Sequence, residues 1–420
     1  MERKIHEFFL KWKNDIIRKP LVLYGPKQVG KTFSALEFGQ KEYKNIAYFD
    51  CYNNERIVDL FKKEKAPEQI IVKLSVLINE TIIKNDTLMI FDNVDDVEII
   101  KGIKLFNAST EYHIIVITSR RENLIKFKGE ELLFKSMSGL DFEEYLWARD
   151  EKNLANLIRE SFDKHRSCRF HKLALEYFYE YLETGGFPEA VFANVEGKSK
   201  SEINAIKNKI IDTYKSELIL NKNLIDIPRS LEVFESIPRQ LSKENKKFQY
   251  SALGKGKRAS EYESAIKYLV NNQILYRSYK IKTVTSPLSS CREKDSFKLY
   301  LTDAGLLYSM LHITRKDLQD YLIREALFEN FIAKTLVDLG FVLYFYQSEG
   351  KALVNFVIQN RVGEIIPIEL ITKENSKAKN LSVFVKRVTI KEGYRITENN
   401  FSTKKNIRYI PIYATFCIGY

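Results

Sequence analysis

The chain has little cysteine, little proline and no long apolar run. Its four cysteines, Cys51, Cys168, Cys291 and Cys417, stand far apart with no C-x-x-C pair. That excludes a disulfide frame and points to a reducing cytoplasm. One spacing puts a cysteine between two histidines. His165, Cys168 and His171 would share a face if they lay on one helix, but no fourth metal ligand is nearby. No apolar stretch approaches the ~18–20 residues of a membrane span. The N-terminal MERKIHEFFLKWKNDIIRK is charged throughout and lacks the apolar centre and cleavage site of a signal peptide. It reads as an amphipathic helix packed beside the first domain.

Hydrophobic residues make up 45% of the 420, enough for packed cores in two or three domains. The net charge is +12, from 67 Lys and Arg against 55 Asp and Glu. A chain rich in Lys, Asn, Ile, Tyr and Phe and poor in Gly and Pro also reflects an AT-rich genome. The distribution of charge is therefore more telling than its total. Residues 243–298 hold 13 basic against 5 acidic side chains, and residues 372–410 hold 10 against 3. Those two segments carry more than the whole excess, a pattern that suits a polyanion such as duplex DNA.

The strongest motif is GPKQVGKT at 25–32, directly after the apolar run PLVLY. It fits G-x-x-x-x-G-K-[ST] at every fixed position. Gly25 and Gly30 let the backbone fold so that the N–H groups of Pro26-Lys27-Gln28-Val29 and their neighbours line a phosphate cradle, proline contributing none. Lys31 places a charge on the β- and γ-phosphates, Thr32 offers a hydroxyl to Mg²⁺, and the helix opening at Phe33 adds its positive end. The cofactors expected are ATP and Mg²⁺.

Residues 20–24, 45–50, 87–92 and 113–118 are β-prone runs separated by helical stretches, which predicts a parallel sheet flanked by helices. Ligands bind at the carboxyl ends of such strands. TLMIFDNVDD ends its strand on Asp92, placed to support Mg²⁺. HIIVITSR ends on Thr118, Ser119 and Arg120, where Ser119 could sense a γ-phosphate. Arg120 and Arg121 could reach one in the same chain or in a neighbouring copy. Asn93 follows Asp92 where many P-loop ATPases carry a glutamate. An amide orients water but accepts no proton. Asp95 and Asp96 are close enough in sequence to substitute for that glutamate, but they read first as solvated loop carboxylates. The expectation is nucleotide binding with weak or regulated hydrolysis.

With these residues in view, the chain resembles the prokaryotic ATP-binding proteins that join an AAA-type P-loop ATPase to a C-terminal domain of unknown function with a restriction-endonuclease-like fold. The carrying segments are GPKQVGKT, MSGLDFEEYLWA (137–148), YLETGGFPEAV (181–191), SIPRQLSKENKKFQYSALGKGKRASEYESAIKYLVNNQILYR (236–277), FKLYLTDAGLLYSML (297–311), ALFENFIAKTL (326–336) and FYQSEGKALVNFVIQ (345–359).

The expected architecture is α/β: an ATPase domain over 1–150 and a nuclease-like domain over 312–420, as the resemblance implies, with a helical segment over 151–228 and a winged-helix-like domain over 229–311 read from the residues between them. In the winged helix, helices at 229–242 and 259–272 flank GKGKR, with Tyr262, Ile266, Leu269 and Val270 as a core stripe. Lys255, Lys257 and Arg258 would stand on DNA phosphates where the second helix begins. In the last domain the nuclease pattern maps Glu329 onto a helix. It puts Asn355 where an Asp is expected, and Glu369 followed by Ile371 where Glu-x-Lys is expected. Lys373 lies two residues further on. Loss of the Asp and the Lys removes metal binding and water activation, so no nuclease activity is expected.

The expected function is an ATP-dependent, DNA-associated switch or slow ATPase without membrane partners, whose partners could include a second copy of itself. The alternatives are an ATP-dependent nuclease or defence enzyme, and a non-hydrolysing protein-interaction module that binds nucleotide.

Overall fold

The computed structural model describes every residue except 109, 122, 123, 125, 126, 128–130, 221–226, 348–352, 373–380, 383, 386–389 and 420. The chain divides into two compact units, one of residues 1–139 with 271–273 and one of residues 140–270 with 274–420.

The first unit runs α1 (Ile5–Lys13), β1 (Leu21–Tyr24), α2 (Lys31–Glu42), β2 (Asn45–Asp50), α3 (Glu55–Lys63), α4 (Pro67–Ile78), β3 (Thr87–Asp92), α5 (Val97–Lys104), β4 (His113–Thr118) and β5 (Leu133–Ser136). The sheet is five-stranded in the order β2-β3-β4-β1-β5, and every pairing in it is parallel. The four expected strands are all present. The fifth, β5, is short and only partly buried, which is why LLFKS does not stand out in the sequence.

Successive residues of the central strands feed different cores. Val22, Met89, Phe91, Ile114 and Val116 join one cluster; Leu21, Leu23, Leu88, Ile90, Ile115 and Ile117 join the other. A strand covered on both faces reads as a continuous apolar run. Helix α1 buries Ile5, Phe9 and Trp12 in the second cluster, against Ala35 and Phe38 of α2.

The second unit runs α6 (Phe142–Ala148), α7 (Lys152–Asp163), α8 (His171–Thr184), α9 (Pro188–Val195), α10 (Lys200–Leu220), α11 (Ile227–Leu241), α12 (Ala259–Asn271, its last residue in the first unit), β6 (Leu275–Ile281), β7 (Arg292–Leu301), α13 (Ala304–Met310) and α14 (Tyr321–Asp338). It continues with β8 (Tyr344–Gln347), β9 (Leu353–Gln359), β10 (Ile365–Leu370), β11 (Gly393–Thr397), β12 (Ser402–Lys404) and β13 (Ile407–Pro411). Its mixed sheet has eight strands in the order β12-β13-β11-β10-β9-β8-β6-β7.

The hairpin β6-β7 is not a free wing. Strand β6 pairs in parallel with β8, Tyr279 opposite Tyr344, so the hairpin completes one edge of the large sheet. Ile281, Leu288, Cys291, Tyr344, Val354 and Val357 share one core there. In α12, Tyr262, Ile266 and Leu269 are buried as expected, but Ala265 rather than Val270 completes the stripe.

Four of the quoted segments meet in the second unit. Leu140 donates its N–H to Gly186 O (2.6 Å) and accepts at its carbonyl from Tyr181 Oη (2.8 Å) and Lys334 Nζ (3.1 Å). Asp303 accepts from Gly186 N (2.7 Å). A Cβ at Gly186 would lie 2.2 Å from Leu140 O, so GGFP is held by close backbone approach as well as by the turn it makes. The three candidate metal residues do not share a helix. His165 follows α7 in a left-handed turn, Cys168 donates its N–H to Asn400 Oδ1, and His171 opens α8 with Nδ1 against Tyr413 Oη.

Candidate nucleotide site

The loop between β1 and α2 is shaped by its glycines. A Cβ at Gly25 would stand 1.9 Å from Met137 O, and Gly30 caps α2 with φ 90°. Gln28 also has positive φ (62°). Positive φ at Gln28 and Gly30 is the kind of backbone that lets a loop present successive N–H groups to an anion at a helix start.

Lys31 is 7% exposed and folds back on the loop, donating to Gly25 O (2.9 Å) and Pro26 O (2.6 Å), with Ser119 Oγ at 3.3 Å. Burial pushes its ammonium down to about 7, against the pull of Asp92 and with a further push from Lys27. A desolvated cation on a glycine-shaped loop at a helix start is poised for polyanionic phosphate.

Thr32 and Asp92 meet directly. Thr32 Oγ1 donates to Asp92 Oδ2 at 2.6 Å, and Tyr48 Oη, from β2, donates to the same oxygen at 3.0 Å. Asp92 is 3% exposed. A hydroxyl against a buried carboxylate is the donor set an ATP-bound Mg²⁺ needs, so the residues fit the ion. Among the described residues no cluster of three His, Cys, Asp or Glu side chains suits a metal held by protein alone. Tyr48 escaped sequence reasoning, because alternation marks it only as an outward strand residue.

The neighbouring carboxylates are engaged. Asp96 caps α5 through Glu98 N (2.7 Å). Asp95 faces Arg120, whose Nε lies 3.4 Å from Asp95 Oδ2. Burial raises the Asp95 carboxyl, while Arg120 and Lys27 pull it down. Both acids are half-buried and engaged rather than freely solvated, and Arg120 is paired within the loop cluster. Phe33 is 63% exposed at the first turn of α2. Asn93 is exposed, has φ 55°, and donates from Nδ2 to Asp50 Oδ1 at 3.1 Å.

Residues 17–146 match a family model described as an AAA domain. The first unit carries an AAA-type P-loop ATPase domain. Two further models follow, both described as domains of unknown function: DUF8612 over residues 175–317 and DUF4143 over 324–415. A curated relative, an uncharacterized protein of Methanocaldococcus jannaschii, is 22% identical over 389 residues, covering 89% of this chain and 79% of its own length. Solved structures that align include Drosophila ORC bound to DNA (14% identity, 70% of this chain, 90% of that one, TM-score 0.24). Another is the Aeropyrum pernix ORC1 protein in complex with DNA (14%, 77%, 92%, TM-score 0.27). Overlaps this loose leave function to be argued from this chain's own residues.

Glu329 and Asn355 meet in the second unit, Asn355 Oδ1 accepts from Leu370 N beside Glu369 (3.0 Å), and both acids are paired with cations. Glu329 is fully buried. Its Oε1 accepts from Lys298 Nζ (2.5 Å) and Tyr300 Oη (2.6 Å), and its Oε2 from Asn355 Nδ2 (3.2 Å). Burial pushes Glu329 up, yet Lys298, Lys246 and the Tyr300 hydroxyl more than offset it and hold the carboxyl low. Glu369 is tied to Arg395 through Nε and Nη2 (2.8 and 2.7 Å). Ile371 follows the last residue of β10, and Lys373 lies outside the described residues. Of the candidate DNA contacts, Lys255 and Arg258 are exposed, whereas Lys257 pairs with Glu232 (3.3 Å). No helix among the described residues is long and apolar enough to cross a membrane.

Proposed function

We propose that this protein binds Mg²⁺–ATP in its first unit and hydrolyses it slowly, using the nucleotide state to regulate contact between its second unit and duplex DNA. The observation that carries the reading is the Lys31–Thr32–Asp92 constellation on a glycine-shaped loop. The loop from Gly25 to Phe33 cradles the phosphates. Lys31 leaves the carbonyls of Gly25 and Pro26 for the β- and γ-phosphates, and its ammonium is restored by their charge. Thr32 and Asp92 hold Mg²⁺, which when bound neutralises phosphate charge. Ser119, within reach of Lys31, senses the γ-phosphate, and Arg120 assists it with the donors left over from its pairing with Asp95.

The DNA side rests on Lys255 and Arg258, exposed where α12 begins, with Lys257 the weaker contributor because of Glu232. The second unit binds without cutting. Both acids of the nuclease-like centre are neutralised by buried cations, and a metal would have to displace Lys298 and Arg395. The test is duplex binding by the full chain without nucleotide, with ADP and with a non-hydrolysable ATP analogue. The expected outcome is salt-dependent binding that differs between the states and weakens in Lys255→Ala/Arg258→Ala. Equal affinity in all three states refutes the switch.

A further inference from the structure

The site described above lacks the usual proton acceptor after Asp92. Asn93 holds that position, Asp96 caps a helix and Asp95 is turned to Arg120. The sheet supplies another carboxylate. Strands β2 and β3 pair in parallel with Asp50 in register with Asp92, so Asp50 ends its strand level with the Mg²⁺ ligand. Its side chain meets the residue that replaces the glutamate: Asn93 Nδ2 donates to Asp50 Oδ1 at 3.1 Å. The backbone N–H of Tyr52 donates to that same oxygen at 3.0 Å. Among the described residues both bonds fall on Oδ1, and Asp50 is exposed at the carboxyl end of the sheet. Among the described residues no hydrogen bond reaches the other oxygen, Oδ2.

The geometry points to Asp50 as the proton acceptor of ATP hydrolysis, acting with Asn93 as a split substitute for the missing glutamate. This rests on the nucleotide reading above. Asn93 has the complementary half of the work. With Nδ2 committed to Asp50, its Oδ1 accepts a hydrogen bond from the attacking water and orients it. The left-handed backbone at Asn93 (φ 55°) is a conformation Asn adopts more readily than most residues, and it carries the side chain toward β2. The water oxygen bonds to the γ-phosphorus, the bond from that phosphorus to the β–γ bridging oxygen breaks, and the electron pair leaves with ADP. The water's proton passes to Asp50 and then to solvent. No further reactant is needed.

The substitution Asp50→Asn keeps the shape and an acceptor for Tyr52 N–H but cannot take a proton. Three quantities are measured on the full chain: turnover of Mg²⁺–ATP, affinity for a fluorescent ATP derivative, and the nucleotide recovered from the protein after incubation with ATP. The expected result for Asp50→Asn is a turnover loss of about a hundredfold, unchanged affinity, and recovery of ATP where the wild type yields ADP. Adding Asn93→Glu to Asp50→Asn should restore turnover, because the new carboxylate bypasses Asp50. Wild-type turnover in Asp50→Asn overturns the assignment, as does an equal or larger loss in Asp95→Asn. Loss of nucleotide affinity in Asp50→Asn also overturns it, since the residue would then serve the site's structure. A wild type that binds ATP and never forms ADP sinks this inference and leaves nucleotide binding standing. A wild type that binds none sinks both.

Discussion

Replacing Lys31 by methionine should stabilise the empty ATPase unit while abolishing its nucleotide binding. The lysine is 7% exposed, and burial lowers its ammonium from 10.5 to about 7. The unfolded chain therefore holds a proton that the folded chain resists between pH 7 and 10.5. The wild type gains stability as pH rises through that window. At pH 7 the liability is about 4 kcal/mol relative to a neutral side chain. Methionine would leave the carbonyls of Gly25 and Pro26 without the donor they now share, at a cost of about 1–2 kcal/mol. The net gain is about 2 kcal/mol at pH 7, or roughly 5–8 °C in the midpoint of a unit this size. It should vanish near pH 10. The assay is thermal unfolding followed at Trp12, which is 3% exposed in the same unit, in a Trp147→Phe background that removes the second tryptophan. A Lys31→Met midpoint below wild type at pH 7, or a difference that does not shrink toward pH 10, refutes the reasoning.

His113 is held by Tyr43 Oη (2.6 Å) and by the guanidinium of Arg18; burial, then Arg18 and Lys13, lowers its pKa to about 4. Its folded value lies below the unfolded 6.5, so stability is lost as pH falls through that window, about 2 kcal/mol between pH 7.5 and 5. His113→Gln should flatten that part of the pH profile in urea unfolding followed at Trp12, and an unchanged slope refutes it. Arg395→Ala strands the buried Glu369 and should cost about 3–5 kcal/mol in urea unfolding followed at Trp147, with Arg395→Met/Glu369→Gln recovering most of it. A cost in the single variant below ~1 kcal/mol contradicts the buried pair.

Much of the ATPase unit is legible in the sequence because its determinants are local. The loop spacing from Gly25 to Thr32 and the apolar runs at 45–50, 87–92 and 113–118 each carry their own signal. The less legible features depend on distant partners. Nothing near Tyr279 says that its strand will pair with Tyr344. Asp50 reads as one more acid at a strand end until the register brings it level with Asp92 and onto Asn93. The same holds in the second unit. Loss of the Asp and Lys around Asn355 and Ile371 is visible in the chain. That Lys298 and Arg395 neutralise the remaining acids is visible only in the folded sheet. GGFP and the segment around Leu140 are individually weak motifs whose meaning is mutual backbone contact.

The central claim is a nucleotide site that works despite Asn93. Its most direct test is Mg²⁺-dependent ATP turnover by the full chain, with Lys31→Met as the blank. The account predicts turnover above the blank yet slow, below about 1 s⁻¹, the low end of ordinary enzymes. Turnover indistinguishable from the Lys31→Met blank, or turnover at the rate of an efficient ATPase, would contradict it.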